Sequence, residues 1–146
     1  MKVPETIVDL GGKVMNRGHK MILTLSGGRV LNRAFGMTVV ELHTTGRKSG
    51  QPRATMLTAP IRDGDRVVLV ASKGGNDRHP DWYLNLSANP GVELTIDGDR
   101  RPYTARTATA EEKAEMWATI TSTYKGYAGY QASTERDIPV VICDPR

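Results

Sequence analysis

From about position 37 onward, apolar and polar residues alternate in short stretches with β-type composition. Thr38-Val39-Val40-Glu41-Leu42-His43-Thr44 is rich in β-branched residues. Val92-Glu93-Leu94-Thr95-Ile96 changes polarity at every step, as a strand with one buried face does. The pattern predicts strands over 38–44, 53–62, 67–71, 92–96, 101–107 and 139–142. Asp63-Gly64-Asp65 and Asp97-Gly98-Asp99 supply hairpin turns between neighbours. Two helices interrupt the strands. Pro80 suits a first helical position, Trp82 to Ala88 follow, and Asn89-Pro90 ends the run. Thr109-Ala110-Glu111-Glu112 reads as a capping box opening a helix with Ala114, Trp117, Ile120 and Tyr124 on one face. Short antiparallel strands with few helices favour a small barrel over a βαβ sheet.

Ahead of this body, residues 1–36 form an N-terminal arm. Val14, Met15, Gly18, Met21, Ile22 and Leu25 fall on one helical face, and Lys13, Arg17, Lys20 and Thr24 on another. A basic amphipathic helix of this kind either packs on its own domain or lies on an anionic membrane surface. The chain divides into this arm and a body over 37–146.

Composition narrows the class. At 146 residues, with 38% hydrophobic, the chain matches one ordinary domain. No apolar run approaches the ~18 residues of a membrane-spanning helix, and no secretory signal is evident. The single cysteine, Cys143, rules out an internal disulfide and any zinc spacing. A soluble, cytoplasmic protein is expected. Net charge is +4, but it is unevenly spread. Residues 1–53 hold nine basic and three acidic side chains, and the remainder is slightly acidic. That asymmetry points to an anionic partner.

Three segments could carry chemistry. In Thr44-Thr45-Gly46-Arg47-Lys48-Ser49-Gly50-Gln51-Pro52-Arg53, two glycines bracket two cations and a serine. Freed backbone N–H groups, an arginine fork and a lysine charge suit phosphate, although the P-loop spacing is absent. A solvated hairpin turn would look the same. In Ala71-Ser72-Lys73-Gly74-Gly75-Asn76-Asp77-Arg78-His79-Pro80-Asp81-Trp82, a strand end runs through two glycines into a helix start, where a ligand can approach the backbone closely. Ser72, His79 and Asp81 are residue types of a hydrolase triad, but no G-x-S-x-G elbow surrounds the serine. Asp77, His79 and Asp81 make a poor metal set, so none is expected. His19 and His43 have no partner in view. In Tyr124-Lys125-Gly126-Tyr127-Ala128-Gly129-Tyr130, three of the five tyrosines recur every third residue. They suit stacking on a planar ligand and donating to it, or packing at a domain edge. The glycines suggest an irregular segment.

Taken in series, the stretches 44–53, 71–75 and 80–90, the tyrosine triplet and the ending Ile138-Pro139-Val140-Val141-Ile142-Cys143 closely resemble the deazaflavin-dependent nitroreductase family of actinobacteria. The resemblance covers residues 36–146. It implies a mainly β split barrel of the flavin-reductase type with a few helices. It also implies binding of coenzyme F420, whose reduced form reduces quinones, including menaquinone, and some nitro compounds. By position, Arg47, Lys48, Ser49 and Arg53 would surround the phosphate and acidic tail. Ala54, Thr55, Met56, Leu57 and Thr58 would run beside the ring. Val70, Ala71, Ser72 and Lys73 would meet its edge, and Asp81, Trp82, Tyr83, Leu84 and Asn85 would line the opposite wall. Tyr124, Tyr127 and Tyr130 would face the acceptor, with Tyr127 nearest the coenzyme. Ser72 or Tyr127 would hydrogen-bond the developing oxyanion, and Tyr130 would bound the acceptor pocket. The best-known members have a tyrosine where this chain has Thr58, which widens the pocket. The arm would reach anionic membrane, where a lipid quinone resides, and related barrels often form homodimers. Two rivals stand beside this reading: an FMN-dependent enzyme on the same barrel, and a coenzyme- or lipid-binding module without turnover. Nucleic acid is not expected, because the cations stand apart from the tyrosines.

Overall fold

Period-two alternation sets the architecture. The computed structural model describes residues 33–34 and 36–146, so the helix expected in the arm lies outside the described residues. The strands are β1 (Arg33–Ala34), β2 (Met37–Thr45), β3 (Pro52–Ala59), β4 (Ile61–Asp63), β5 (Arg66–Val70), β6 (Gly91–Ile96), β7 (Asp99–Thr107) and β8 (Val140–Pro145). The helices are α1 (Asp81–Ala88), α2 (Ala110–Thr123) and α3 (Gly126–Ala132), with a 3-10 turn at Lys73–Gly75. The fold is mainly β, as expected.

All pairings are antiparallel, in the order β1-β2-β6-β7-β8-β5-β4, with β3 on the other side of β2. The stretch expected as one strand over 53–62 is broken at Pro60, which has no N–H for the ladder. Before the break it pairs with β2, from Thr38↔Ala59 to Thr45↔Pro52. Beyond it, Ile61 pairs with Val68 of β5. The ladder thus returns to itself through one bent strand. Pro60 is the bend at which the strand passes from β2 to β5.

Alternate residues of these strands fill the interior: Val40, Leu42, Ala59, Val67, Leu69, Val92, Leu94, Ile96, Tyr103, Ala105, Val141 and Cys143. Leu86 of α1 joins them, with Trp82 and Tyr83 packed alongside, so α1 plugs the barrel. Burial pushes the Cys143 thiol up to about 12, which leaves it unreactive. The opposite faces of β5 and β8 carry a second core of Val68, Val70 and Val140 with Met37, Ile120, Ile138 and Tyr127. α2 and α3 lie on that outer face.

Several local expectations are refined. Pro80 is the N-cap of α1, not its first helical residue, because its ψ of 151° is extended. The capping box at Thr109 and Glu112 is formed. Beside Arg106 the Glu112 carboxyl sits at about 2. On α2 only Ile120 is fully buried, and Ala114 is exposed, because the helix rests on β5 and β8 through its C-terminal half. The tyrosine segment expected to be irregular is helical: α3 takes in Gly126 and Gly129 because its packing against the outer core outweighs their cost. The two-residue turn Asp97-Gly98 has φ of 54° and 79°, the left-handed pair a tight hairpin requires. His43 does have a partner, since its Nε2 lies 2.8 Å from Thr95 Oγ1 on β6.

Candidate functional site

The loop from Gly46 to Gln51 joins β2 to β3 and is held by its own backbone. Gly46 N donates to Gln51 O at 2.8 Å, and Gly50 N to Gly46 O at 2.9 Å. A Cβ on Gly46 would stand 2.6 Å from Ser49 Oγ and 3.3 Å from Gln51 O, so a larger residue there would make the serine hydroxyl turn away. Ser49 Oγ accepts from Gln51 N at 3.1 Å and from Arg53 Nη2 at 3.3 Å. Arg47 points elsewhere. Its backbone N and its Nη1 both donate to Asn85 Oδ1, at 3.1 and 2.9 Å, and Nη2 lies 3.5 Å from Asp81 Oδ1. Asn85 is only 5% exposed, so this double acceptance docks the loop onto α1. Lys48, Ser49 and Arg53 remain on the exposed side. Lys48 makes no ion pair among the described residues.

The second segment leaves β5 through Ala71 and Ser72. Ser72 is right-handed (φ −79°, ψ −34°), and Lys73, Gly74 and Gly75 follow at φ 45°, 62° and 82°. A right-to-left-handed step of this kind swings successive amide N–H groups toward one side, a geometry suited to electron-rich ligand atoms. The Ser72 hydroxyl has no hydrogen-bond partner among the described residues. Gly75 is pressed against α3: a Cβ there would stand 3.0 Å from both Tyr130 Cα and Tyr130 O, and 3.1 Å from Ser133 Cβ.

Arg136, on the segment between α3 and β8, reaches this turn. Its Nη2 donates to Ala71 O (3.1 Å) and Ser72 O (2.9 Å), and its Nε to Asn76 O (2.8 Å). Its Nη1 meets His79 Nδ1 at 3.0 Å. That nitrogen must then be the acceptor, so the imidazole is neutral there. Burial first, then the Arg136 charge, holds the His79 pKa below its usual 6.5. The unfolded chain therefore binds the extra proton first. The stability contributed by neutral His79 is complete above pH 6.5 and is lost as pH falls toward the lower folded value. Wild-type protein should lose more of its urea midpoint than His79→Gln between about pH 7 and about pH 5.5, and equal losses would contradict this assignment. His79 also lies against Tyr83, ring centroids 4.9 Å apart, which ties the turn to α1. Its Nδ1 is thus taken by Arg136, and no cluster of three or more metal-ligating side chains exists among the described residues.

The tyrosines form a mutual aromatic cluster, with centroids 5.3 to 6.4 Å apart. Tyr127 is 6% exposed, and its hydroxyl donates to Met37 Sδ at 3.6 Å, a weak acceptor. Burial raises its pKa, while the neighbouring Thr58 hydroxyl opposes the rise. Tyr130 is half-buried, and its hydroxyl lies 3.4 Å from that of Tyr124. Burial, then that contact, pushes Tyr130 up to about 12.

These contacts join the three sequence segments into one circuit. The 46–51 loop holds α1, α1 meets His79, and His79 meets Arg136 beside the turn. The turn touches α3, and α3 reaches Thr58 on β3, whose start carries Arg53. The other residues read from the sequence differ in burial. Thr55 is half-buried, Ala54 exposed, and Leu57 packs on the barrel interior. Met56 and Ala71 are buried, and Val70 lies under Tyr127 in the outer core. Trp82 and Leu84 are half-buried. The Tyr83 hydroxyl is turned away, 2.7 Å from Thr107 Oγ1. Arg136 was missed by the sequence reading, since a lone arginine in Ser133-Thr134-Glu135-Arg136-Asp137 carries no motif.

The set combines exposed charge, turn backbone and aromatic donors. Lys48 and Arg53 offer charge at an exposed glycine loop, and the left-handed turn presents backbone and the Ser72 hydroxyl. Tyrosines and threonine supply the apolar and donor groups beyond.

Comparison with known proteins identifies the family. The profile of the F420H(2)-dependent quinone reductase family matches residues 15–145. An F420H(2)-dependent quinone reductase of Mycobacterium tuberculosis is 40% identical over 139 residues, 92% of this chain and 93% of that protein. A solved structure described as an F420-H2 dependent reductase superposes with a TM-score of 0.66 at 39% identity, covering 73% of this chain and 93% of that one. A second, described as a domain-swapped dimer, gives a TM-score of 0.69 at 34% identity, covering 94% and 96%. The chain belongs to the F420H(2)-dependent quinone reductase family.

Proposed function

We propose that this protein oxidises reduced coenzyme F420 and passes the hydride to a quinone. The observation that carries the reading is the contact circuit itself: an exposed cationic glycine loop, a left-handed turn with an unpartnered serine hydroxyl and a tyrosine cluster joined around one barrel flank. When bound, the reduced deazaflavin supplies the hydride. The chain's own residues bind, orient and donate. Lys48 and Arg53 attract the phosphate and acidic tail, with Arg47 contributing charge while it fixes the loop. The turn from Ser72 to Gly75 meets the ring edge.

Charge that develops on the acceptor oxygen needs a donor. The Ser72 hydroxyl is available, and the Tyr127 hydroxyl gives up little by leaving a thioether. The raised phenol pKa values keep Tyr127 and Tyr130 protonated, so they act as donors. Tyr130, with Tyr124, bounds the acceptor side. Thr58 in place of a larger side chain leaves room there, favouring a quinone ring over a tightly gripped nitro compound, with nitro reduction a secondary activity.

Turnover of reduced coenzyme F420 with a soluble quinone tests this directly, and no turnover would leave the non-catalytic binding module. Ser72→Ala and Tyr127→Phe should each lower kcat by about tenfold while the coenzyme Kd stays within about twofold, since two hydroxyls share one oxyanion. An unchanged kcat removes that residue from the chemistry.

The basic amphipathic pattern over 13–25 supports an arm that touches anionic lipid, from which a menaquinone-like acceptor would arrive. Removing residues 1–30 should reduce binding to anionic vesicles and spare activity on a soluble quinone. Equal vesicle binding by both forms contradicts the membrane role.

A further inference from the structure

The Arg136 guanidinium spends its hydrogen bonds on a single segment. Two acceptors, Ala71 O and Ser72 O, precede the left-handed turn, and two, Asn76 O and His79 Nδ1, follow it. The fork therefore brackets Lys73, Gly74 and Gly75. A second tie joins the same two segments, because Thr134 Oγ1 donates to Asp77 Oδ1 at 2.8 Å. The bracketed turn is intrinsically unfavourable: Lys73 is a non-glycine residue at φ 45°, a conformation costing about 1–2 kcal/mol. Such a conformation persists only where its surroundings over-determine it. Here the turn's own bonds, Gly75 N to Ser72 O at 2.9 Å and Asn76 N to Lys73 O at 3.1 Å, are backed by Arg136 on one side and the backbone of α3 against Gly75 on the other.

We infer that Arg136 is a positioning residue for coenzyme binding: it holds the Lys73–Gly75 turn in its left-handed form, and so aims the turn's backbone and the Ser72 hydroxyl without touching the ligand. The inference rests on reading this turn as the edge that meets the coenzyme. Arg136 also couples the two sides of the site, since the chain that carries it continues directly from the tyrosine helix. A lysine cannot replace it, because an ammonium is a point donor that cannot reach both flanks of the turn in one plane.

Arg136→Lys in the full-length chain is the test, read by coenzyme F420 titration and by amide hydrogen exchange without coenzyme. The Kd should rise by about tenfold or more, the scale of a lost charge-assisted hydrogen bond. KM for the reduced coenzyme should rise with it, and kcat should change by less than about threefold. Amides of residues 73–76 should exchange faster while those of β6 keep their wild-type protection. Loss of β6 protection would mean global unfolding. In that event Thr134→Val, which removes the tie to Asp77 and the acceptor of the Arg136 backbone N–H but keeps the guanidinium, carries the same measurements with a smaller expected rise. A variant that binds coenzyme within about twofold of wild type overturns the inference, and faster exchange of the turn with unchanged Kd does so too, leaving a structural role only. Failure of the wild-type protein to bind coenzyme F420 is a different result: it removes the proposed function, and the positioning role with it.

Discussion

Gly75→Ala is expected to cost about 2–4 kcal/mol of stability and to abolish tight coenzyme binding. The position has φ +82°, where an L side chain is strained. The added methyl would also meet Tyr130 Cα and O at 3.0 Å. Those atoms are backbone of α3 and cannot swing aside as a side-chain tip could. Either the turn lifts off α3 or α3 shifts off the outer core, and both break the circuit that joins Ser72 to the tyrosines. Gly64→Ala is the matched control. It has φ +60° in a hairpin, with nothing within 4 Å of the new methyl, so only the strain of about 1 kcal/mol applies. Urea midpoints of the two variants separate close packing from backbone strain. Equal losses would show that contact with α3 does not matter.

Replacing Arg47 and Lys48 together by alanine should raise the Kd for coenzyme F420 by about 100-fold or more, since each charge-assisted contact contributes about 1.5–3 kcal/mol. The two act differently. Lys48 has no ion pair among the described residues, so Lys48→Ala reports on the ligand alone, at about tenfold. Arg47 also supplies both donors to the buried Asn85 Oδ1, so its side-chain loss loosens the loop on α1 as well as removing charge. Salt screens exposed charges, so the wild-type Kd should climb with ionic strength and that of the double variant should be much flatter. An unchanged, salt-insensitive Kd would contradict the assignment of this loop to the phosphate and tail.

Strands with one buried face were legible because period two is visible in residues such as Val92, Leu94 and Ile96. The hairpins at Gly64 and at Asp97-Gly98 were legible because their backbone demands particular residues. The break at Pro60 could have been read from its missing N–H, but its meaning could not. Only long-range pairing shows that it closes a barrel. The helix over 126–132 was hidden by its glycines, whose local cost is outweighed by contacts with β5 and β8. For the site, the glycine loops and tyrosines declared themselves by composition. Arg136 did not, because its role lies in acceptors about sixty residues away on backbone carbonyls, which leave no mark on side-chain identity. The pairing of Arg47 with Asn85 was invisible because it joins residues far apart in sequence, although both had been singled out.

The most direct test of the account is a titration of the purified full-length protein with coenzyme F420 and, separately, with FMN, followed by tryptophan fluorescence. Trp82 stands half-buried at the start of α1, beside the loop that Arg47 docks there. The account predicts saturable quenching by the deazaflavin and none by FMN. Saturable quenching by FMN alone would keep the barrel and contradict the function.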